Sequence, residues 1–205
     1  MSNSQIGQDT AVLAFYKQKR NGYFVEIGAY DGVALSNTLV LEKEYGWTGI
    51  LSEVVPVRFK DLLNNRPNCH NDNNAVYSKS NLNLVFDVAN NSNMLSGISK
   101  HIDAHKNTVN ANKTQIKVNT ISLTDLLDKY NAPSFIDYIS LDTEGSELEI
   151  LMGLDYARYT VGYFDIEHNH VEPRRSHIKS LLKSHGYIYL RENKFDDIYI
   201  HNSLA

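Results

Sequence analysis

The sequence predicts an α/β fold built on a mainly parallel seven-stranded sheet, with helices on both faces and an antiparallel hairpin at the C-terminus. Two observations carry this prediction. Short apolar runs rich in β-branched and aromatic residues alternate with helical patterns along most of the chain. The last two runs, residues 187–190 and 197–201, are separated by only a short polar segment, which predicts the hairpin. A chain of 205 residues is expected to form one domain, spanning residues 1–205.

The individual elements follow from apolar patterns and from the residues that interrupt them. Gly22, Gly46 and Gly186 each end a helical pattern, and Pro56 opens one at a position where its missing N–H costs nothing. The predicted helices cover residues 4–20, 37–45, 57–64, 124–130, 148–152 and 177–185. Besides the hairpin, the predicted strands cover residues 23–27, 47–53, 69–77, 135–141 and 160–166, with a further extended segment at 116–121.

The stretch from Tyr23 to Gly32 predicts the binding site of a nucleotide-type cofactor. A buried strand runs into a turn bracketed by Gly28 and Gly32, and Ser36 is placed to cap the helix that follows. The dinucleotide spacing Gly-x-Gly-x-x-Gly is absent. Glu26 and Asp31 put two carboxylates where a phosphate would be repelled and where a ligand with ammonium and sulfonium groups would be attracted.

Three further residues are candidates for contacts with the cofactor. Glu53 ends the second predicted strand, about 20 residues after the glycine turn, where a carboxylate accepts hydrogen bonds from ribose hydroxyls. Asn73 and Asn74 lie near the expected position of an adenine edge, and a solvated loop explains them equally well.

Residues 79–115 form the least regular part of the sequence and are expected to be an insertion that acts as a lid or binds substrate. His101 and His105 are four residues apart and would share a helix face. Because no third ligand is near them in sequence, we interpret both as surface residues rather than as a metal site.

Composition limits the classes of partner. The formal net charge is −4 and basic residues do not cluster, which argues against a nucleic-acid partner. Cys69 is the only cysteine, so no internal disulfide is possible. With no signal-like segment or 18-residue apolar run, we expect a cytoplasmic protein without a membrane partner. The sequence does not predict the oligomeric state.

Several short blocks together resemble the FkbM family of methyltransferases. The blocks keep one order along the chain and extend to about residue 170, but the interval 79–115 carries little of the pattern. They are Ser4-Gln5 with Gly7-Gln8-Asp9, residues 24–29 with Asp31-Gly32, Ser36-Asn37-Thr38, Gly46-Trp47, residues 49–53, Ile136-Asp137-Tyr138 with Leu141-Asp142 and Glu144-Gly145, and Ile166-Glu167 with Asn169.

The resemblance implies a Rossmann-like class I methyltransferase fold that binds S-adenosylmethionine and methylates hydroxyl oxygens. Sugars and polyketide-type products are among the substrates it implies, and carbohydrate as acceptor rests on the resemblance alone. In that setting Glu26, Gly28, Asp31, Gly32, Glu53, Asn73, Asn74 and Asp142 are the candidate cofactor-binding residues.

Polar residues that follow the strands at 135–141 and 160–166 are the candidates for chemistry, because reacting groups sit at the carboxyl ends of strands in open α/β sheets. The pattern is similar to that of metal-dependent small-molecule O-methyltransferases, so Asp142, Glu167 and Asn169 are candidate ligands of Mg²⁺ or Mn²⁺. His168 is a candidate base or ligand. The alternative is catalysis without a metal, in which Asp142, Glu144 or His168 removes the hydroxyl proton directly.

Two other functions stay open from sequence. One is a nicotinamide-dependent oxidoreductase on the same fold, which the missing glycine pattern and the acidic turn disfavour. The other is a non-catalytic cofactor-binding domain, which would have no use for the acidic and histidine residues that follow the two strands.

Overall fold

The computed structural model describes residues 2–205 and contains the seven-stranded sheet that the sequence predicts. Its strands, in chain order, are β1 (Tyr23–Ile27), β2 (Thr48–Ser52), β3 (His70–Asp72), β8 (Phe135–Leu141), β9 (Thr160–Glu167), β10 (Tyr187–Asn193) and β11 (Asp196–His201). The strand order across the sheet is β10-β11-β9-β8-β1-β2-β3. Strands β3, β2, β1, β8 and β9 are parallel, and β11 and β10 add an antiparallel hairpin, as expected.

The strand order fixes where a ligand can bind. From β1 the chain moves to β2 and β3 on one side, while β8 and β9 lie on the other side. The order therefore reverses between β1 and β8, and the carboxyl ends of these strands open a crevice at the point where α/β sheets hold their ligands.

Helices cover both faces of this sheet, as predicted. They are α1 (Gln8–Phe15), α2 (Leu39–Tyr45), α3 (Pro56–Asn65), α5 (Leu123–Lys129), α6 (Glu147–Met152) and α7 (Arg174–Ser184). A further helix, α4 (Lys106–Ala111), lies in the interval 79–115, where its Val109 packs with Ala89 and Ile102. Successive strand residues point to opposite faces, so Phe24 joins the apolar core under α1, α2 and α3, whereas Val25 joins the core under α5, α6 and α7. None of the helices within residues 2–205 is both long and apolar enough to cross a membrane.

The interval 79–115 is more regular than the sequence indicates. It contributes to a second sheet of four strands, β4 (Ala75–Tyr77), β5 (Asn83–Ala89), β6 (Gly97–Ile98) and β7 (Lys113–Ser122), in the order β4-β7-β5-β6. The antiparallel pairing of β5 with β7 joins residues far apart in sequence, which a local pattern cannot reveal.

The single strand predicted at 69–77 is wrong, because the chain leaves the main sheet after β3 and enters the small sheet at β4. The carboxylate of Asp72 accepts hydrogen bonds from both the backbone and the side-chain nitrogen of Asn74, each at 2.8 Å, and these bonds bend the chain between the two strands.

Several predicted helix limits are also wrong. Helix α1 ends at Phe15 rather than Arg20, because Lys17 and Gln18 both adopt positive φ. Helix α2 begins at Leu39, and Ser36 lies before its N-cap, with its hydroxyl directed to Glu26. His101 and His105 do not share a helix face, because α4 begins only at Lys106.

Candidate functional site

A cavity of about 420 Å³ lies over the crevice at the carboxyl ends of β1, β2, β8 and β9. The insertion forms part of its wall, from Ser92 to Ser96 and at His105. Seven of the sequence-predicted site residues line this cavity: Glu26, Gly28, Glu53, Asp142, Glu144, Glu167 and Asn169. The fold thus gathers residues from four strand ends into one pocket.

Gly28 allows the ends of β1 and β8 to approach one another. Its φ is +89°, and a Cβ atom at this position would lie 1.8 Å from the backbone oxygen of Asp142. No other residue fits such a contact without movement of the strands. Gly32, by contrast, packs against the side chains of Leu62 and Arg66 and does not line the cavity.

Glu26 lines the cavity, but its carboxylate is already engaged. It accepts hydrogen bonds from Ser36 Oγ at 2.9 Å, from the backbone nitrogen of Asn37 at 2.8 Å and from Thr38 Oγ1 at 2.5 Å. Asp31 does not line the cavity, and its Oδ1 accepts from the backbone nitrogens of Val33 and Ala34. In this structure both predicted acidic residues brace the segment that leads into α2.

Glu53, which the sequence predicts as a ribose acceptor, lines the cavity. Its side chain is 7% exposed, and its carboxylate accepts from the backbone nitrogens of Tyr30 at 2.9 Å and Val55 at 2.6 Å. Burial raises the pKa of Glu53 to about 7, although these hydrogen bonds and the charge of Arg58 oppose the shift. The carboxyl can therefore change its charge near neutral pH.

Asn73 and Asn74, the predicted base contacts, do not line the cavity. Asn73 is exposed and Asn74 is held by Asp72, so the structure does not bring either to the pocket. Beside Glu53 the wall is instead apolar, and it consists of Val54, Ala75, Val76, Phe86 and Ile98. Sequence reasoning missed Phe86 and Ile98 because they reach the site only through the small sheet.

Three carboxyl groups meet at the opposite end of the cavity. Oxygen atoms of Asp142, Glu144 and Glu167 all lie within 4.8 Å of one another. Burial, followed by the charges of Asp196 and Glu147, raises the pKa of Asp142 to about 7. Burial and the charge of Asp142 raise the pKa of Glu144 to about 8, and the same causes hold the pKa of Glu167 well above its ordinary value.

The donor set at this end fits a hard divalent cation. All three groups offer oxygen, and Glu167 Oε2 is buried without a hydrogen-bond partner among residues 2–205. Asn169, whose φ of +45° is unusual for a residue other than glycine, adds an amide to the same cavity. The three residues predicted as metal ligands, Asp142, Glu167 and Asn169, therefore share one pocket, and Glu144 joins them.

His168 does not face this pocket. It is 1% exposed, its Nδ1 accepts from the backbone nitrogen of His170 at 2.9 Å, and its Nε2 lies 3.6 Å from Asp197 Oδ1. Burial lowers the pKa of its imidazole. Because Glu167 and His168 are neighbours at a strand end, their side chains point in opposite directions, so the predicted base cannot reach a reacting atom in the cavity.

His168, His170 and Glu192 form a second group of potential metal ligands. The backbone N–H of His170 already occupies the Nδ1 lone pair of His168, which leaves the proton on Nε2. Neither ring nitrogen of His168 then has a lone pair to offer. We conclude that this group is not a metal site.

The structure adds site residues that sequence reasoning missed. His105, which the sequence pattern predicts as a surface residue, lines the cavity with its Nε2 3.8 Å from Glu144 Oε2. Gln8 also lines the cavity and donates from Nε2 to Asp196 Oδ2 at 2.9 Å. Glu147 has a structural role, because its Oε1 accepts from the backbone nitrogens of Thr143 and Gly145 and holds the turn after β8.

The fold of this chain is similar to those of several solved proteins. The methyltransferase domain of METTL16 superposes with a TM-score of 0.51 at 10% identity, covering 95% of this chain and 66% of that one. TrmK of M. capricolum, solved with S-adenosylhomocysteine, gives a TM-score of 0.47 at 11% identity, covering 93% of this chain and 66% of its own. The chain thus spans just under two thirds of both proteins. Comparison with curated sequences returns no match.

The similarity to the METTL16 domain shows a shared fold. At the level of sequence, residues 26–189 match the family described as the methyltransferase FkbM domain. This match covers most of the chain, including the glycine turn, Glu53 and the acidic cluster, and it supports S-adenosylmethionine as cofactor and not a nicotinamide dinucleotide. The chain belongs to the FkbM family of methyltransferases.

Proposed function

We propose that this protein transfers the methyl group of S-adenosylmethionine to a hydroxyl oxygen of a sugar or glycan. The cluster of Asp142, Glu144 and Glu167 carries the proposal. A neutral alcohol is a poor nucleophile, and its methylation requires a group that helps to remove the hydroxyl proton. The cluster places such groups in the same cavity as the expected cofactor site.

The charge of the cavity favours a cationic methyl donor. Five carboxyl residues line it, Glu26, Glu53, Asp142, Glu144 and Glu167, and no Lys or Arg from residues 2–205 does so. A sulfonium centre is attracted to those carboxyl groups that are ionised and favours their ionised forms, whereas the pyrophosphate of a nicotinamide dinucleotide is repelled by them. Glu53 would accept the ribose hydroxyls, and the apolar wall next to it would contact the adenine.

The proton can leave the acceptor hydroxyl in two ways. Asp142 and Glu144 have pKa values of about 7 and about 8, so either carboxylate can accept a proton near neutral pH. Alternatively, Asp142, Glu167 and the amide oxygen of Asn169 would hold Mg²⁺ or Mn²⁺, with Glu144 beside them. A divalent ion bound there would lower the pKa of the acceptor hydroxyl and orient it.

The acceptor class rests on the family resemblance and on the polar character of the cavity. Gln5 and Asn169 present side-chain amides to it. An amide both donates and accepts hydrogen bonds, so it can pair with the vicinal hydroxyls of a sugar. The acidic cluster then receives one of these hydroxyls next to the methyl donor.

The proposal is tested by transfer of a tritiated methyl group from S-adenosylmethionine to a panel of sugars and glycans, with Mg²⁺ or with a chelator. We expect methylation of an oxygen by the wild type and by Glu44→Gln, an exposed control, and none by Asp142→Asn. Activity that survives full chelation would show that a carboxylate removes the proton of the acceptor hydroxyl and that no metal is required. Methylation of nitrogen or carbon only would reject the proposed acceptor class.

A further inference from the structure

The methionine part of S-adenosylmethionine carries an α-ammonium group, which needs hydrogen-bond acceptors inside the cavity. The acidic residues expected to supply them are largely engaged. Glu26 already accepts three hydrogen bonds from the protein itself, of the roughly four that a carboxylate can accept, and Asp31 is turned to the backbone of its own loop outside the cavity. Because an ammonium has three N–H donors, it needs a further acceptor in the cavity.

Asn37 has a free acceptor in the right place. The residue is 8% exposed and lines the cavity. Its backbone nitrogen donates to Glu26 Oε1 and its Nδ2 donates to Ser140 Oγ, both at 2.8 Å. These two bonds fix the side chain across the ends of β1 and β8. Its Oδ1 is buried and has no hydrogen-bond partner among residues 2–205.

A buried carbonyl oxygen without a donor is unfavourable, so the pocket is incomplete without a ligand that supplies one. The position of Asn37 distinguishes the two ligands of the reaction. It lies over the switch point between β1 and β8, beside Glu26 and Ser140, whereas Glu167 and Asn169, at the end of β9, mark the acceptor side. The neighbouring carboxylates of Glu26 and Asp142 favour a donor with a positive charge.

We propose that Asn37 Oδ1 accepts a hydrogen bond from the α-ammonium of the cofactor and is the residue by which this enzyme recognises the amino-acid end of S-adenosylmethionine. The inference rests on the proposed use of this cofactor. It assigns to a neutral amide the task that the sequence pattern assigns to Glu26 and Asp31. Glu26 then acts as a positioning residue, which holds the backbone of Asn37.

Calorimetry with two ligands tests the assignment without knowledge of the acceptor. One ligand is S-adenosylhomocysteine, and the other is the same molecule with hydrogen in place of the α-amino group. We expect the wild type to prefer the first by about 10- to 150-fold, the range for a hydrogen bond to a charged group. Asn37→Ala should bind both with similar affinity, while Asn37→Asp, which keeps an acceptor oxygen, should retain the preference.

Asn73→Ala serves as a control, because Asn73 is exposed and outside the cavity. Thermal unfolding of each variant checks that the fold is kept. Equal losses for both ligands in Asn37→Ala would show a purely structural role and overturn the inference. If Asn37→Ala keeps the wild-type preference for S-adenosylhomocysteine over the analogue without the amino group, the inference is also overturned. If the wild type binds both ligands equally, the cofactor proposal stands and the role of Asn37 fails, whereas binding of neither ligand rejects both.

Discussion

Replacement of Glu53 by Gln tests whether this side chain binds the ribose as a carboxylate. In the free protein Glu53 has a pKa of about 7, because burial outweighs the hydrogen bonds that it accepts. The ionised form accepts more hydrogen bonds than the protonated form, so ribose binding should strengthen as the pH rises through about 7. Glutamine at this position has no charge to gain and should show no such rise.

The expected magnitude follows from the number and type of hydrogen bonds. A hydrogen bond to a charged group contributes about 1.5–3 kcal/mol, which corresponds to roughly 10- to 150-fold in affinity. Near pH 8 the wild type should therefore bind more tightly than Glu53→Gln by about this factor. Near pH 5.5, where Glu53 is protonated, the difference should shrink to about threefold or less.

The assay is calorimetry with 5′-methylthioadenosine, which carries the adenine and ribose but neither the amino-acid part nor a sulfonium charge. Its affinity is therefore insensitive to the charges of Asp142 and Glu144 at the far end of the cavity. A wild-type affinity that does not change with pH would contradict the assigned role. So would a Glu53→Gln variant that binds as tightly as the wild type near pH 8.

Three further predictions concern the fold that carries the site. Gly28→Ala should lower the free energy of unfolding in urea by about 2–5 kcal/mol, because it adds a clash with the backbone of Asp142 to a left-handed φ. Gly7→Ala is the control: Gly7 also has a positive φ, but a Cβ there would have no atom within 4 Å, so this change should cost only about 1–2 kcal/mol. Equal losses for the two variants would refute the clash. Arg66→Met should cost about 1–3 kcal/mol, because it removes the fully buried guanidinium that pairs with Glu42 and leaves Lys43 as the remaining cationic partner of that carboxylate. Arg158→Met breaks an exposed pair and should change the stability much less, so similar losses for the two variants would contradict this assignment. Asp142 and Glu144 have folded-state pKa values above their unfolded values, so the stability that they contribute below the unfolded values is lost as the pH rises through about 7 and about 8. Urea unfolding between about pH 4.5 and 8 should show this decline, and a wild-type curve no steeper than that of Glu144→Gln would contradict it.

The parts of the fold that were predictable depend on local patterns. The strand at Tyr23–Ile27 is an apolar run that is interrupted by Glu26 and followed by a glycine, and its neighbours in the main sheet are also largely apolar. The hairpin and the two helical layers follow from similar signals. The extended segment predicted at 116–121 lies in β7, but the small sheet itself was not predicted, because β5 pairs with β7 about 30 residues away.

The candidate site was likewise predictable only in part. Asp142, Glu144 and Glu167 follow buried strands, so their meeting at one sheet edge was predictable from sequence. The direction in which each side chain points was not predictable from sequence. His168 follows Glu167 directly and points away from the cavity, while His105 reaches Glu144 through a loop of the insertion. The occupied state of Glu26 and the free oxygen of Asn37 depend on the exact path of the segment before α2.

The most direct test of this account is a calorimetric titration with S-adenosylmethionine and, separately, with a nicotinamide dinucleotide, each in the presence of Mg²⁺ and of a chelator. We expect one binding site for S-adenosylmethionine and no binding of the dinucleotide. Binding of the dinucleotide alone would show that the turn between Gly28 and Gly32 has been misinterpreted. It would also contradict the cofactor assignment on which the proposed methyl transfer depends.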